Sequence, residues 1–158
     1  MAWTTPSTWS AGATLTASQL NTQLRDNLKA IGDPWTAYTP ALVNWTLGNG
    51  TLTGYYMQAG KTVWGKVFYT VGSTDTKSGN LVITLPVTKL ADDGTETPFG
   101  YGGAYDTSVP ARSTVGVFHS TTSRMLLWTP TSGIVSNTVP WTWATGDKLN
   151  AAFMYEAA

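Results

Sequence analysis

Hydrophobic positions near the start of the chain form one helical stripe, and beyond Pro34 they alternate. The stretch LTASQLNTQLRDNLKAIGDP at 15–34 spaces Leu20, Leu24, Leu28 and Ile31 at gaps of four, four and three. At about 100° per residue the four side chains share an arc of roughly 80°. Both ends are marked. Thr16 is a suitable N-cap, Gln19 three residues on completes a capping box, and Leu15 can staple onto Leu20. Gly32 follows the last apolar position, where a left-handed residue is wanted, and Pro34 forbids continuation. The spacing therefore predicts a helix over 17–31. Its stripe is narrower than the apolar face with which a helix usually docks on a globular core. Two partners suit it: the β-domain of its own chain, or the same stripe on other copies. Three turns are too short to be stable alone in water, so a partner is required. The gaps sum to 11 residues over three turns, near the period of a straight helix, so copies could meet about an axis with little supercoiling.

After Pro34 the period changes to two. WTAYTP and LVNWTL are short strand candidates, and GNG at 48–50 predicts a tight hairpin into TLTGYYMQ. A turn at Ala59-Gly60 leads into KTVWGKVFYTV. There Val63, Gly65, Val67, Tyr69 and Val71 fall on one face and Trp64, Lys66, Phe68 and Thr70 on the other, the pattern of a central strand. SGN at 78–80 and DDG at 92–94 predict turns, and LVITLPV, PFGYGGAYD, RSTVGVFHS, RMLLWT and KLNAAFMYEA predict further strands. Eight or nine strands at this spacing fit a mainly β fold, a jelly-roll-like antiparallel β-sandwich preceded by one N-terminal helix. The chain divides into an arm and helix at 1–33 and a β-domain at 34–158, large enough for its own core. No period of 20 to 50 residues points to a solenoid or propeller.

Composition supports the β reading and narrows the chemistry. Of 158 residues, 16 are Gly, eight Trp and 28 Thr, types that favour turns and pleated, half-exposed surfaces. Nine basic and nine acidic side chains give no net charge, and only 11% of residues are charged. Without a basic stripe, nucleic acid is not an expected partner. The absence of cysteine removes disulfides, thiolate chemistry and cysteine-based metal sites. A charged, apolar leader and an apolar run near 18 residues are both missing, so neither export nor a membrane span is expected.

Catalysis finds little to build on. His119 is the single histidine, so a triad would need Ser113, Ser120 or Ser123 as nucleophile and Asp106 as orienter, and no nucleophile-elbow pattern surrounds these serines. Asp33, Asp75, Asp92, Asp93, Asp106 and Asp147 all adjoin turn-forming residues, where aspartate caps the backbone. DDGTE at 92–96 has the oxygens of a calcium loop but not the ligand spacing of an EF-hand. No enzyme activity, cofactor or metal is expected. Binding is better served. Trp128, Trp141, Trp143, Tyr101 and Tyr105 could present flat faces for sugar rings, with Thr and Asn as neutral hydrogen-bonding groups, or could equally fill a core. Trp3 and Trp9, in an arm without periodicity, suit burial by a partner protein.

The order of parts now meets a resemblance. TWSAGATLTASQLNTQLRDNLKAI, through Trp9, Ala11, Gly12, Leu15, Thr16, Ala17, Leu20, Asn21, Arg25, Asp26 and Asn27, resembles the N-terminal signature of minor tail, fibre and appendage proteins of double-stranded DNA bacteriophages, especially those of actinobacteria. WTAYTP, NGTLTGYYMQAGKTV, ITLPV and GDKLN continue it more loosely. The resemblance implies a homotrimeric virion protein made in a bacterial cytoplasm. Its N-terminal region would attach to other virion proteins, and its distal β-domain would contact host-surface polysaccharide. Family members often carry the signature on much longer fibres, so this chain would be a short appendage. A head fibre or capsid decoration protein is the alternative. In such a protein the sequons at Asn44 and Asn49 carry no glycan.

Overall fold

The computed structural model describes residues 4–91 and 98–158. Trp3, the expected turn at 92–94 and the calcium-like stretch at 92–96 lie outside the described residues.

Helical backbone runs through α1 (Ala17–Leu20), a π-helical turn (Asn21–Arg25) and α2 (Asp26–Gly32). The start follows the sequence. Gln19 N–H donates to Thr16 Oγ1 at 3.2 Å and Thr16 N–H to Gln19 Oε1 at 2.8 Å, so two otherwise orphan donors are satisfied reciprocally. The end differs from expectation. Gly32 is not left-handed but belongs to the last helical turn, and Asp33 leaves it extended at φ −66°, ψ 146°. The following Pro34 steers its neighbour that way. In the π turn Asp26 N–H bonds to the carbonyl of Asn21, five residues back.

Ten strands follow: β1 (Thr36–Tyr38), β2 (Leu42–Thr46), β3 (Thr51–Ala59), β4 (Thr62–Thr70), β5 (Thr76–Thr84), β6 (Gly100–Asp106), β7 (Ala111–Thr121), β8 (Arg124–Thr129), β9 (Gly133–Ile134) and β10 (Lys148–Glu156). Their pairing is antiparallel throughout, in the order β1-β3-β4-β10-β6-β7-β8-β5-β2, with β9 on β8. Where the sequence predicts two sheets, the described strands link into one, and it is curled. Its two edges, β1 and β2, are joined by only three residues, which reach at most about 14 Å between Tyr38 and Leu42. Ala41 then bonds Thr84 of β5 through both Thr84 N–H to Ala41 O (3.0 Å) and Ala41 N–H to Thr84 Oγ1 (2.8 Å).

Alternation places the core inside the curl. Val63, Val67 and Tyr69 of β4 and Leu149, Ala151, Phe153 and Tyr155 of β10 point inward with Leu81, Ile83, Val115, Val117, Met125 and Leu127. The β3–β4 hairpin turns at Gly60 (φ 59°) where expected, and β4 is central, between β3 and β10. Two other turn expectations fail. SGN at 78–80 lies within β5 as an irregularity, opposite the left-handed Asn44 (φ 68°) where the β2–β5 register shifts. GNG closes no hairpin, because β2 pairs with β5 and β3 with β1 and β4. Gly48 and Gly50 are needed for close approach instead: a Cβ on Gly48 would strike Thr74, and one on Gly50 would strike Asp75. The Asp75 carboxylate, buried beneath that loop, accepts Gly48 N–H (2.8 Å), Gly50 N–H (3.0 Å), Gly72 N–H (2.8 Å) and the Tyr69 hydroxyl (2.7 Å). Four donors answer the carboxylate's lone pairs, so two loops are tied by one side chain.

Candidate functional site

Two surfaces of the fold expose apolar groups. The first is the helix. Leu20, Leu24, Leu28 and Ile31 are 38%, 47%, 67% and 53% exposed, while Asn27 and Ala30 are buried. The stripe therefore does not pack on its own sheet. α2 meets β3 through a smaller face, on which Ala30 allows close approach. Asn27 serves the N-terminal arm, exchanging two 2.9 Å hydrogen bonds with the Thr4 backbone, and Gln23 Oε1 accepts Ser7 N–H at 2.9 Å. The arm is thus strapped to the helix while Trp9 stays exposed.

The second surface is the outer face of the sheet. Register across β3, β4, β10, β6, β7 and β8 sets Tyr55, Lys66, Ala152, Tyr101, Gly116 and Trp128 in one outward row. Lys66 Nζ lies 4.6 Å from the ring centroid of Trp35, and Tyr55 is beside it. Tyr101 is 64% exposed: across the sheet it faces Ala152 and Gly116, and Gly103 follows it on the same face, while Trp64, Phe99 and Met154 line a pocket of about 630 Å³ with it. Trp128, also exposed, edges a pocket of about 240 Å³ with Phe118, His119, Leu126 and Ile134. On the other side of Tyr101, Tyr105, Arg112, Thr114, Lys148 and Asn150 line an open trough of about 510 Å³. Arg112 lies over the Tyr105 ring at 5.0 Å, and Asn150 Oδ1 accepts Gly103 N–H at 3.0 Å.

The five aromatic candidates accordingly divide. Tyr101 and Trp128 stand on the outer face, and Tyr105 lies beneath Arg112. Trp143 is a core residue at 3% exposure, its Nε1 donating to the carbonyls of Ser136 (3.0 Å) and Val139 (3.1 Å), and it offers no face to a ligand. Trp141 packs against it at 5.6 Å between ring centroids and is half-buried. Neither sits on a strand; both belong to the connection between β9 and β10, which folds over the core beside Trp45. Nothing in the local sequence singles out Arg112 and Lys148. Alternation in β10 puts Lys148 and Asn150 on one face, but only the insertion of β10 between β4 and β6 brings them to Tyr105 and Arg112.

The residues weighed for a triad are not assembled. Asp106 pairs with Ala111 at the start of β7, and His119 lies eight residues further on, about 27 Å along an extended strand. Asp106 Oδ1 instead accepts Ser108 Oγ–H (2.7 Å), Ser108 N–H (2.8 Å) and Val109 N–H (3.2 Å). The Ser108 hydroxyl above all, with these amides, holds its carboxyl below the usual carboxylate range despite desolvation. Asp147, fully buried, accepts Thr107 N–H (3.0 Å) and hydroxyl (3.2 Å) on one oxygen and Ala144 N–H (2.8 Å) on the other. Among the described residues no three His, Cys, Asp or Glu side chains are grouped to hold a metal, and no helix is long and apolar enough to cross a membrane. Comparison of the chain with protein-family models, curated proteins and solved structures finds no match.

Proposed function

We propose that the chain is a non-enzymatic bacteriophage virion protein: a short, homotrimeric, tail-associated appendage that meets host-surface polysaccharide through its β-domain. The observation that carries this reading is the helix. Four large apolar side chains stand in water on one side of it while small and polar groups face its own chain. Exposed apolar groups gathered on one element mark an interaction surface, and a narrow stripe on a short helix is matched by the same stripe on other copies. Three helices about a common axis would cover Leu20, Leu24, Leu28 and Ile31 and leave the curled sheets, read as jelly-roll-like sandwiches, outside. The N-terminal arm, strapped to the helix through Thr4 and Ser7, is then the segment that other virion proteins grip, with Trp9 and, in the sequence before the strap, Trp3 as the side chains they would bury, and the phage-like signature spans both arm and helix. Tyr101 and Trp128 are the aromatics this reading assigns to polysaccharide.

Immunogold labelling of purified particles of the phage that encodes the chain tests the assignment. Label at the tail is the expected result, label on the capsid would move the appendage to the head, and particles free of the protein would overturn a virion role.

A further inference from the structure

We propose that the outer sheet face takes an anionic polysaccharide, with sugar rings against Tyr101 and a carboxylate or phosphate held between Arg112 and Lys148. The inference rests on reading the β-domain as a polysaccharide-binding body, and it names the ligand's charge.

Charge placement carries it. The chain as a whole is neutral, but its described carboxylates are committed elsewhere. Asp26 pairs with Arg25 (2.8 Å), Asp33 with Lys29 (4.0 Å) and Glu156 with Lys61 (3.8 Å). Asp75, Asp106 and Asp147 are spent on backbone amides and hydroxyls at the loops. Asp147, though next to Lys148 in sequence, is fully buried. Among the described residues Arg112 and Lys148 have no carboxylate partner, and the trough they share is lined by none. A local positive potential on a neutral protein selects an anion by complementarity.

The geometry suits such a ligand. Lys148, Tyr105 and Arg112 occupy one row on three adjacent strands, so the Cα atoms of the two cations are about 10 Å apart, with the tyrosine between them. Stacking on Tyr105 preorganises the guanidinium, which can then present parallel N–H donors to a carboxylate or phosphate. Between Tyr105 and Tyr101 the outward position is Gly103. That glycine has no positive φ, and a Cβ there would meet nothing nearer than 3.8 Å, so neither backbone nor packing demands it. Its effect is to leave the floor open between two tyrosines about 13 Å apart along β6. Single-stranded nucleic acid fits less well. A phosphate on every nucleotide needs a track of cations. The next cation toward Tyr101's row, Lys66, is held over Trp35 and Tyr55.

Calorimetric titration of the full chain with polygalacturonate, a phosphomannan, their esterified and dephosphorylated counterparts, and oligo(dT), at about 20 and 300 mM salt, tests the proposal. Expected is binding of at least one acidic polymer, the arm that binds naming the anion. That binding should weaken tenfold or more in high salt, in the Arg112→Gln/Lys148→Gln double variant and with the neutralised counterpart. Gly103→Leu, which keeps both cations but fills the floor, should also weaken it. Equal binding of charged and neutral polymers, indifferent to salt and to the double variant, overturns the anion inference and leaves polysaccharide binding standing. No binding of any polysaccharide overturns both, and tighter binding of oligo(dT) overturns the proposal in favour of nucleic acid. The salt dependence of the unaltered chain keeps the test decisive should a variant fail to fold.

Discussion

Replacing Asp75 with alanine should destabilise the β-domain more than any surface change. The side chain is 8% exposed and accepts four hydrogen bonds of 2.7 to 3.0 Å that tie the β2–β3 and β4–β5 loops together. A hydrogen bond to a charged group contributes about 1.5–3 kcal/mol, and leaving a buried partner unsatisfied costs about 1–3 kcal/mol. The four are not additive, because water can reach the amides of Gly48 and Gly50 more easily than the Tyr69 hydroxyl. A loss of about 4 kcal/mol is the expected sum, in the range for breaking a buried charged pair. At about 2–4 °C per kcal/mol for a domain of this size, the melting temperature should fall by about 8–16 °C. Asp75→Asn should cost roughly half as much. Its carbonyl can still accept from Gly48 and Gly50, and Tyr69 can rotate its hydroxyl, but Gly72 N–H then meets another donor. The pH dependence is a second signature. Burial opposes the charge, yet the amides of Gly72, Gly50 and Gly48 and the Tyr69 hydroxyl outweigh it and hold the carboxyl below its ordinary value. A depressed folded-state value means stability that is fully present above about pH 4, the unfolded value, and is lost as pH falls through the folded one. Thermal melts from pH 7 to pH 2, followed by near-ultraviolet circular dichroism, should show an acid loss in the parent chain that is smaller in Asp75→Ala. A variant within about 1 kcal/mol of the parent, with the same acid dependence, would refute the reasoning.

Gly50→Ala should destabilise by a similar mechanism, since its Cβ would strike the Asp75 carboxylate and the Thr70 carbonyl; a melting temperature equal to the parent's would contradict the close approach. Asn27→Ala should release the arm without unfolding the sheet, because Asn27 makes both bonds to Thr4. Limited proteolysis should then cut the first dozen residues faster by tenfold or more, about the loss of one to two kcal/mol of local opening free energy, and an unchanged rate would mean the arm is held elsewhere.

Local features were readable from the chain because their determinants lie within a few residues. Thr16 and Gln19 cap the helix through each other, Gly60 supplies the left-handed residue of a two-residue hairpin loop, and the alternation in β4 and β10 sorts core from surface. Features set by distant pairing were not. GNG has the composition of a hairpin, but β5 competes for β2 and the glycines serve an approach to Asp75. Trp141 and Trp143 have strand-like alternation, yet their connection folds across the core, where burial of two indoles outweighs local preference. The same limit applies to the candidate site. Tyr101 and Trp128 were legible as aromatics, but that Ala152 lies beside Tyr101, and that Lys148 joins Arg112 in flanking Tyr105, follows from β10 pairing with β6, between partners more than 40 residues apart.

The most direct test of the account concerns what covers the helix. Light scattering after size exclusion should give about three times the chain mass of 16.9 kDa for the parent protein. Leu24→Ala/Leu28→Ala should shift that mass toward a single chain while the melting temperature and tryptophan spectrum of the β-domain stay unchanged, because in the single chain these two side chains are 47% and 67% exposed. The loss should be large, about 2–5 kcal/mol for each leucine that the assembly buries, repeated in every subunit. A parent protein that is monomeric across micromolar concentrations, or a double variant that keeps its mass and loses stability in the sheet, would contradict the account.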